Sequence, residues 1–218
     1  MKPVLKKEKL DTLLEARFIN VYDHPFGENG HYLTASRRKK DDLVMFKSEE
    51  EYKNMYPDAV TMIVIITAKN REPAVLMNYE FRYPTGEFIL APPAGLIDPE
   101  DLNSEDPILT TARREIEEET GISLKDTDSL HIVNPLLFSS PGMTDESNAI
   151  VCAIIDHTVE EDINYDNIKG SEVFNGFELL TKEQAINIIK TGKDKNQYPY
   201  SVYTWIGLMY FISDLWKN

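Results

Sequence analysis

Residues 106–122 read Asp106-Pro107-Ile108-Leu109-Thr110-Thr111-Ala112-Arg113-Arg114-Glu115-Ile116-Glu117-Glu118-Glu119-Thr120-Gly121-Ile122. Both ends of a helix are written into this stretch. Asp106 is a carboxylate N-cap followed by proline at the first helical position. Gly121 supplies a left-handed C-cap onto which Ile122 can fold back. The charge between these ends is placed against stability. Four of the last six helical residues are Glu, close to the negative end of the helix dipole, where cations are favoured. Glu115 and Glu119 stand at i and i+4, and Glu118 at i+3, so three carboxylates share one face. Like charges this close raise one another's pKa unless something positive intervenes. A hard divalent cation with oxygen ligands is one such partner, and Arg114, spaced to pair with Glu118, is another. Taken alone, such a face in an acidic protein reads as solvated surface rather than as a metal site.

Working outward, strands are expected at 59–68, 74–80 and 87–91, the first a near-continuous apolar run suited to burial on both faces. Pro92-Pro93-Ala94-Gly95 then leads to the helix, and strands follow at 131–138 and 149–155. A strand at 177–180 runs into a helix with a capping box, Thr181 and Gln184, closed by Gly192. A final helix over 203–216 carries Ile206, Met209, Ile212, Leu215 and Trp216 at helical spacing, as core or dimer contact. Before Tyr56-Pro57-Asp58, short antiparallel strands are expected at 17–22, 31–37 and 43–46, with a turn-rich 23–30 and a helical turn over 48–55. These elements make an α/β sandwich with a β-rich N-terminal extension. We divide it into residues 1–57 and 58–218.

The bulk numbers fit a soluble globular chain: 218 residues, 42% hydrophobic and 28% charged. No apolar run is long enough to span a bilayer, and the start, Met1 to Lys7, lacks the apolar core of a secretory signal. The single Cys152 lies in an apolar strand and reads as a buried structural thiol in a reducing, cytoplasmic compartment. A net charge of −14 disfavours nucleic-acid binding but not a small anion whose site holds a cation. Phosphate-loop, nucleophile-elbow and zinc-helix motifs are absent, and His24, His31, His131 and His157 are scattered.

The complete string Arg114-Glu115-Ile116-Glu117-Glu118-Glu119-Thr120-Gly121-Ile122, preceded by Pro93-Ala94-Gly95-Leu96-Ile97-Asp98, resembles the signature of the Nudix hydrolases. Two further segments resemble the ADP-ribose pyrophosphatase group within that superfamily. They are Tyr79-Glu80-Phe81-Arg82-Tyr83-Pro84, with Glu80 where Gln is usual, and Ser140-Pro141-Gly142-Met143-Thr144-Asp145-Glu146. Ala91 stands where that group often has Glu. Gly95 lies 19 positions before Arg114, so five residues are inserted relative to the signature, within Pro99 to Asp106. Asp106 or Glu105 then replaces the signature's first Glu.

The resemblance implies a Nudix-type α/β/α sandwich with a mixed sheet, plus a small antiparallel N-terminal extension that serves a homodimer. It implies Mg²⁺, with Mn²⁺ as an alternative, held by Glu115, Glu119, Glu118 and the Ala94 carbonyl. Glu118 is otherwise the partner of Arg114. It implies that Glu146 helps activate water, that Arg82 holds a substrate phosphate, and that Tyr32 and Arg37 contact the nucleotide. Each of these also has a plain alternative: Arg82 as a surface ion-pair partner, Glu146 as a loop cap, Tyr32 as a strand aromatic. The implied reaction is hydrolysis of ADP-ribose or a related nucleoside diphosphate sugar to a nucleoside monophosphate and a sugar phosphate. An oxidised nucleoside di- or triphosphate or a GDP-sugar is the alternative substrate, and a noncatalytic nucleotide-sugar sensor the alternative role.

Overall fold

The computed structural model describes residues 5–69, 71–156, 163–166 and 172–217. His157 and the first four residues, which entered the sequence reading, lie outside them. The chain forms two compact units, Met1–Asp58 with Leu136–Asn148, and Ala59–Pro135 with Ala149–Asn218.

In the first unit three strands, β1 (Asp11–Glu15), β2 (Asn20–Phe26) and β3 (Gly30–Ser36), form an antiparallel sheet in that order. The strand expected at 17–22 is shifted. β2 runs on through Asp23-His24-Pro25-Phe26, read from the sequence as a turn, and pairs from Asn20↔Ser36 to Phe26↔Gly30. Pro25 is tolerated because β1 pairs only as far as Asp23, so the missing N–H interrupts no second ladder. The reversal is confined to 27–29, with Gly27 at φ 59°. β1 gave no signal because all five of its residues are exposed and no buried face imposes alternation.

The strand expected at 43–46 is not formed either. Lys40–Asp42 and Val44–Phe46 are 3₁₀ turns, closed by local bonds such as Phe46 N–H to the Leu43 carbonyl (3.0 Å). Leu43 is still buried, against Leu10 and Tyr22 in this unit's small core. A short helix, α1 (Glu49–Lys53), follows with a complete Ser48/Glu51 capping box.

The second unit is organised by β4 (Ala59–Ala68), flanked by β5 (Arg71–Arg82) and β9 (Ser147–Asp156) in a seven-stranded sheet. β8 (Ser129–Phe138) and β10 (Phe174–Thr181) are the ends of its main path; β6 (Glu87–Ala91) pairs β5 and β7 (Ala94–Leu96) pairs β4. β7 was not anticipated, since three residues after two prolines carry no periodicity.

The two-residue alternation of β4 decides which helix covers which face. Val60, Met62, Val64 and Ile66 pack against Ile108, Ala112 and Ile116 of α2 (Pro107–Thr120). Ile63 and Met77 of the opposite face approach Gly207 of α4 (Val202–Ile212), where an added Cβ would lie 3.4 Å from the Met77 methyl. Helices therefore cover both faces, giving the α/β/α sandwich with mixed sheet read from the sequence. β10 runs straight into α3 (Lys182–Thr191), whose Thr181/Gln184 capping box and Gly192 cap are both formed.

The last helix is shorter than expected, and its buried stripe is Thr204, Gly207, Leu208 and Phe211 rather than Ile206, Met209 and Ile212. A helix apolar on every side gives periodicity nothing to resolve. Trp216 is buried as expected, from a 3₁₀ turn, while Leu215 is exposed. Cys152 is fully buried in β9, and burial pushes its thiol up to about 12.

Candidate functional site

α2 has the ends that its sequence specifies. Asp106 accepts from the Leu109 N–H (3.1 Å), Pro107 opens the first turn, and Gly121 closes it at φ 72°. Its rotation is fixed by Ile108, Ala112 and Ile116 against β4. Glu115 and Glu119 border that stripe, so they are carried inward with it, to 9% and 4% exposure. Carboxylates this buried need hydrogen bonds or a counter-charge.

Each finds only part of that. Glu115 accepts from Arg114 Nη1 (2.6 Å), and Glu119 from Asn78 Nδ2 (2.9 Å) and the Ala94 N–H (3.3 Å). Burial nevertheless pushes Glu115 up to about 7 against the pull of Arg114, with the charges of Glu118 and Glu172 adding to the rise. Glu119 is raised well above the ordinary carboxylate range, by burial first and then by Glu172 and Glu115.

These side chains line a cavity of about 160 Å³ with Glu118, Asp98, Glu172 and the Gly95-Leu96 backbone. Gly95 is required here for a steric reason: a Cβ would sit 1.9 Å from the Glu115 carboxyl carbon. Glu172, just before β10, had no motif to mark it in the sequence. Burial raises its carboxyl too, Arg82 opposes the rise, and Glu118 adds to it.

The expected Arg114–Glu118 pair is the weakest contact Arg114 makes, at 3.7 Å. Besides Glu115, its guanidinium reaches Asp101 (2.8 Å) and the Leu96 carbonyl (3.0 Å). Neither Asp106 nor Glu105 takes the place of the signature's first Glu: Asp106 is used as the N-cap and Glu105 is exposed. Asp101, inside the inserted segment, faces Arg114 instead. Burial raises the Asp101 carboxyl, but hydrogen bonds from Arg114, Thr111 and the Asp98 N–H outweigh it and hold the group below its ordinary range.

Arg82, at the end of β5, pairs with Glu80, whose carboxyl burial lifts to about 7 in spite of that pairing. About half of the Arg82 side chain remains exposed.

The other residues singled out from the sequence lie in the first unit: Tyr32 on β3, Arg37 just after it and Glu146 in the 139–146 loop. Tyr32 donates to the Gly142 carbonyl (2.7 Å), and Arg37 Nε donates to Glu146 (2.8 Å). The neighbouring Arg38, only 10% exposed, pairs with Asp58 (2.7 Å) and Asp145 (3.6 Å). The Ala35 N–H bonds the Met143 carbonyl (2.9 Å), fastening the same loop to the strand. A separate cavity of about 900 Å³ in this unit is lined largely by Phe26, Tyr32, Tyr52, Phe138 and Met143.

The donor set around the smaller cavity suits a hard divalent cation. It offers several carboxylate oxygens beside a backbone stripped of side chain at Gly95. Among the described residues, no three His, Cys, Asp or Glu groups form a ready-made metal cage.

Comparison with known proteins gives the family. A NUDIX domain matches residues 55–202, and the chain belongs to the Nudix family. A Nudix hydrolase of Schizosaccharomyces pombe is 35% identical over 107 residues, 49% of this chain and 47% of that protein. Nudix hydrolase 14, chloroplastic, of Arabidopsis thaliana is 33% identical over 99 residues, 42% of this chain and 30% of that protein. A nudix hydrolase of Caenorhabditis elegans is 29% identical over 143 residues, 64% of this chain and 58% of that protein. The chain thus spans at most 58% of the length of these relatives. The crystal structure of an ADP compounds hydrolase shares the fold, with a TM-score of 0.56 at 16% identity, over 99% of this chain and 96% of that one. No helix among the described residues is long and apolar enough to cross a membrane.

Proposed function

We propose that this protein hydrolyses the diphosphate bond of ADP-ribose or a related nucleoside diphosphate sugar, with Mg²⁺ as the working cation and Mn²⁺ as a substitute. The observation that carries the proposal is the cavity that Glu115, Glu118 and Glu119 share beside the Gly95 backbone, where burial and neighbouring carboxylates raise the carboxyls of Glu115 and Glu119. A divalent cation bound there would neutralise diphosphate oxygens and acidify an attacking water. In this reading Glu115 and Glu119 hold the cation with the Ala94 carbonyl, and Glu118 contributes a further oxygen. Arg114 orients Glu115, and Arg82 offers its exposed guanidinium to a phosphate as a bidentate donor. The substrate class rests on the resemblance of residues 79–84 and 140–146 to the ADP-ribose pyrophosphatase group. From the same resemblance Glu146 takes a proton from water, and Tyr32 and Arg37 contact the nucleotide.

The test is Mg²⁺-supplemented hydrolysis of ADP-ribose with product identification. AMP and ribose phosphate are expected, and Glu115→Gln or Glu119→Gln should lower the rate about 10³-fold, the equivalent of several kcal/mol of charge stabilisation. Full activity in EDTA overturns the proposal. GDP-sugars and oxidised nucleoside di- and triphosphates belong in the same panel, and a faster rate on one of them moves the substrate while keeping the site. Tight binding of ADP-ribose without turnover would instead favour a sensor.

We also propose that residues 1–57 serve a cytoplasmic homodimer. Leu13, Leu14, Phe18 and Leu33 are about half exposed or more, an apolar cost that a partner surface would remove. Light scattering after size exclusion should give twice the mass of 25.0 kDa.

A further inference from the structure

We infer that the cavity between β10, α3 and the loop after α3 binds a linear aliphatic polyamine, with buried Asp194 as the group that holds one of its ammonium ions. The site is separate from the α2 carboxylates. Phe177 and Leu179 of β10 pack with the α2 core, so strand alternation turns Glu178 and Leu180 to the other side of the sheet. There they line a cavity of about 380 Å³ with Glu183 and Ile188 of α3 and with Lys193, Asp194 and Lys195 of the loop.

Asp194 is 2% exposed, and its two oxygens are treated differently. Oδ1 accepts from the N–H groups of Asn196 (2.8 Å) and Tyr198 (2.9 Å), which fixes the loop. Oδ2 is buried and has no hydrogen-bond partner among the described residues. A buried carboxylate oxygen without a donor is costly, so this one calls for a donor from outside the chain. Burial and Glu178 raise the Tyr79 phenol, and the Asp194 charge adds to the rise, so Asp194 lies near the Glu178–Tyr79 pair.

Glu178 shows which donor this ground accepts. Its carboxylate takes the Tyr79 hydroxyl (2.8 Å) and the Lys195 ammonium (3.3 Å), which also lies 5.2 Å from the centre of the Tyr79 ring. A primary ammonium thus already sits beside Glu178, on a side chain more than half exposed, while Asp194 Oδ2 has no such partner. Leu180 and Ile188 give a ligand an apolar wall for methylene groups. A linear polyamine carries primary ammonium ions on that kind of chain, and it suits a wall with acids at more than one point.

The experiment titrates putrescine into the full chain by calorimetry, in physiological salt with Mg²⁺ present, and follows thermal unfolding beside it. One-to-one binding is expected, with butylamine binding more weakly. Asp194→Asn keeps an oxygen for the two loop N–H groups and replaces only the unpartnered one. It should weaken putrescine binding about tenfold or more, the worth of a hydrogen bond to a charged group. Without putrescine its unfolding temperature should be unchanged or higher, because a buried charge has been removed. Lys195→Met deletes the resident ammonium and should tighten putrescine binding about two- to fivefold, the worth of a partly exposed ion pair. This variant carries the test if Asp194→Asn does not fold. Glu119→Gln should bind putrescine as the wild type does, which separates this site from the α2 cluster. Equal affinity in the wild type and Asp194→Asn, or binding lost in Glu119→Gln, overturns the inference. A wild-type protein that binds no putrescine overturns it as well, with water then meeting the Asp194 oxygen.

Discussion

Two charge clusters, one in each unit, follow opposite rules. Just after β3, Arg38 meets Asp58 and Asp145 at a nearly buried position, and Arg37 meets Glu146. Basic and acidic groups there are matched within the chain. In the second unit, Glu115, Glu118 and Glu119 of α2 share one cavity with Glu172, beside Arg114, which Asp101 also holds. A fold gains nothing from collecting carboxylates that raise each other's proton affinity. The Arg38 pairs are explained by stability, whereas the crowded carboxylates of α2 are explained by a ligand that brings positive charge.

The comparison can be broken at its matched end first. Arg38→Ala leaves two mostly buried carboxylates without their cation, and should destabilise the first unit by about 3–5 kcal/mol in urea unfolding. A loss below 1 kcal/mol would mean that this pairing is not what holds the 139–146 loop. Gly95→Ala comes next. The added methyl collides with the Glu115 carboxyl group and should cost about 1–3 kcal/mol, with loss of Mg²⁺-induced thermal stabilisation.

A pH scan sharpens the unmatched end. The folded-state carboxyls of Glu80 and Glu115 sit near 7, above the ordinary value of 4.5, so the folded state retains protons that the unfolded chain releases. Their contribution is therefore fully present below pH 4.5 and lost as pH rises through 7. In EDTA the unfolding temperature should fall across that window, and Mg²⁺ should recover most of the loss at the alkaline side. A rise across the window would reverse the assignment. Smallest is Tyr32→Phe, which removes one half-exposed hydrogen bond to Gly142. It should cost about 1 kcal/mol or less, with faster amide exchange confined to the 139–146 loop.

What the sequence disclosed follows the range of the forces involved. α2 was legible to the residue, because an Asp-Pro start and a Gly stop are local devices. The apolar run of β4 and the capping box of α3 were equally plain. Leu43 to Phe46 misled, since a four-residue apolar run does not distinguish a strand from a tight turn. At the site, the carboxylate face and its glycine could be read from spacing. The partners of Arg114 could not. Asp101 is 13 positions away in an inserted turn, and only the three-dimensional path of that turn brings it to the guanidinium. Arg37 and Glu146 are 109 positions apart, so their pairing has no sequence trace.

Cys152 has a practical consequence. It is the chain's only thiol, it has no exposed surface, and burial holds it protonated far above neutral pH. Maleimide and thiosulfonate reagents, which need a thiolate they can reach, will pass it over in the native state. A new cysteine at an exposed position such as Met143 or Leu102 would therefore be the sole reactive handle, and a spin or fluorescent label could be set on the 139–146 loop or the inserted segment without first deleting the native residue.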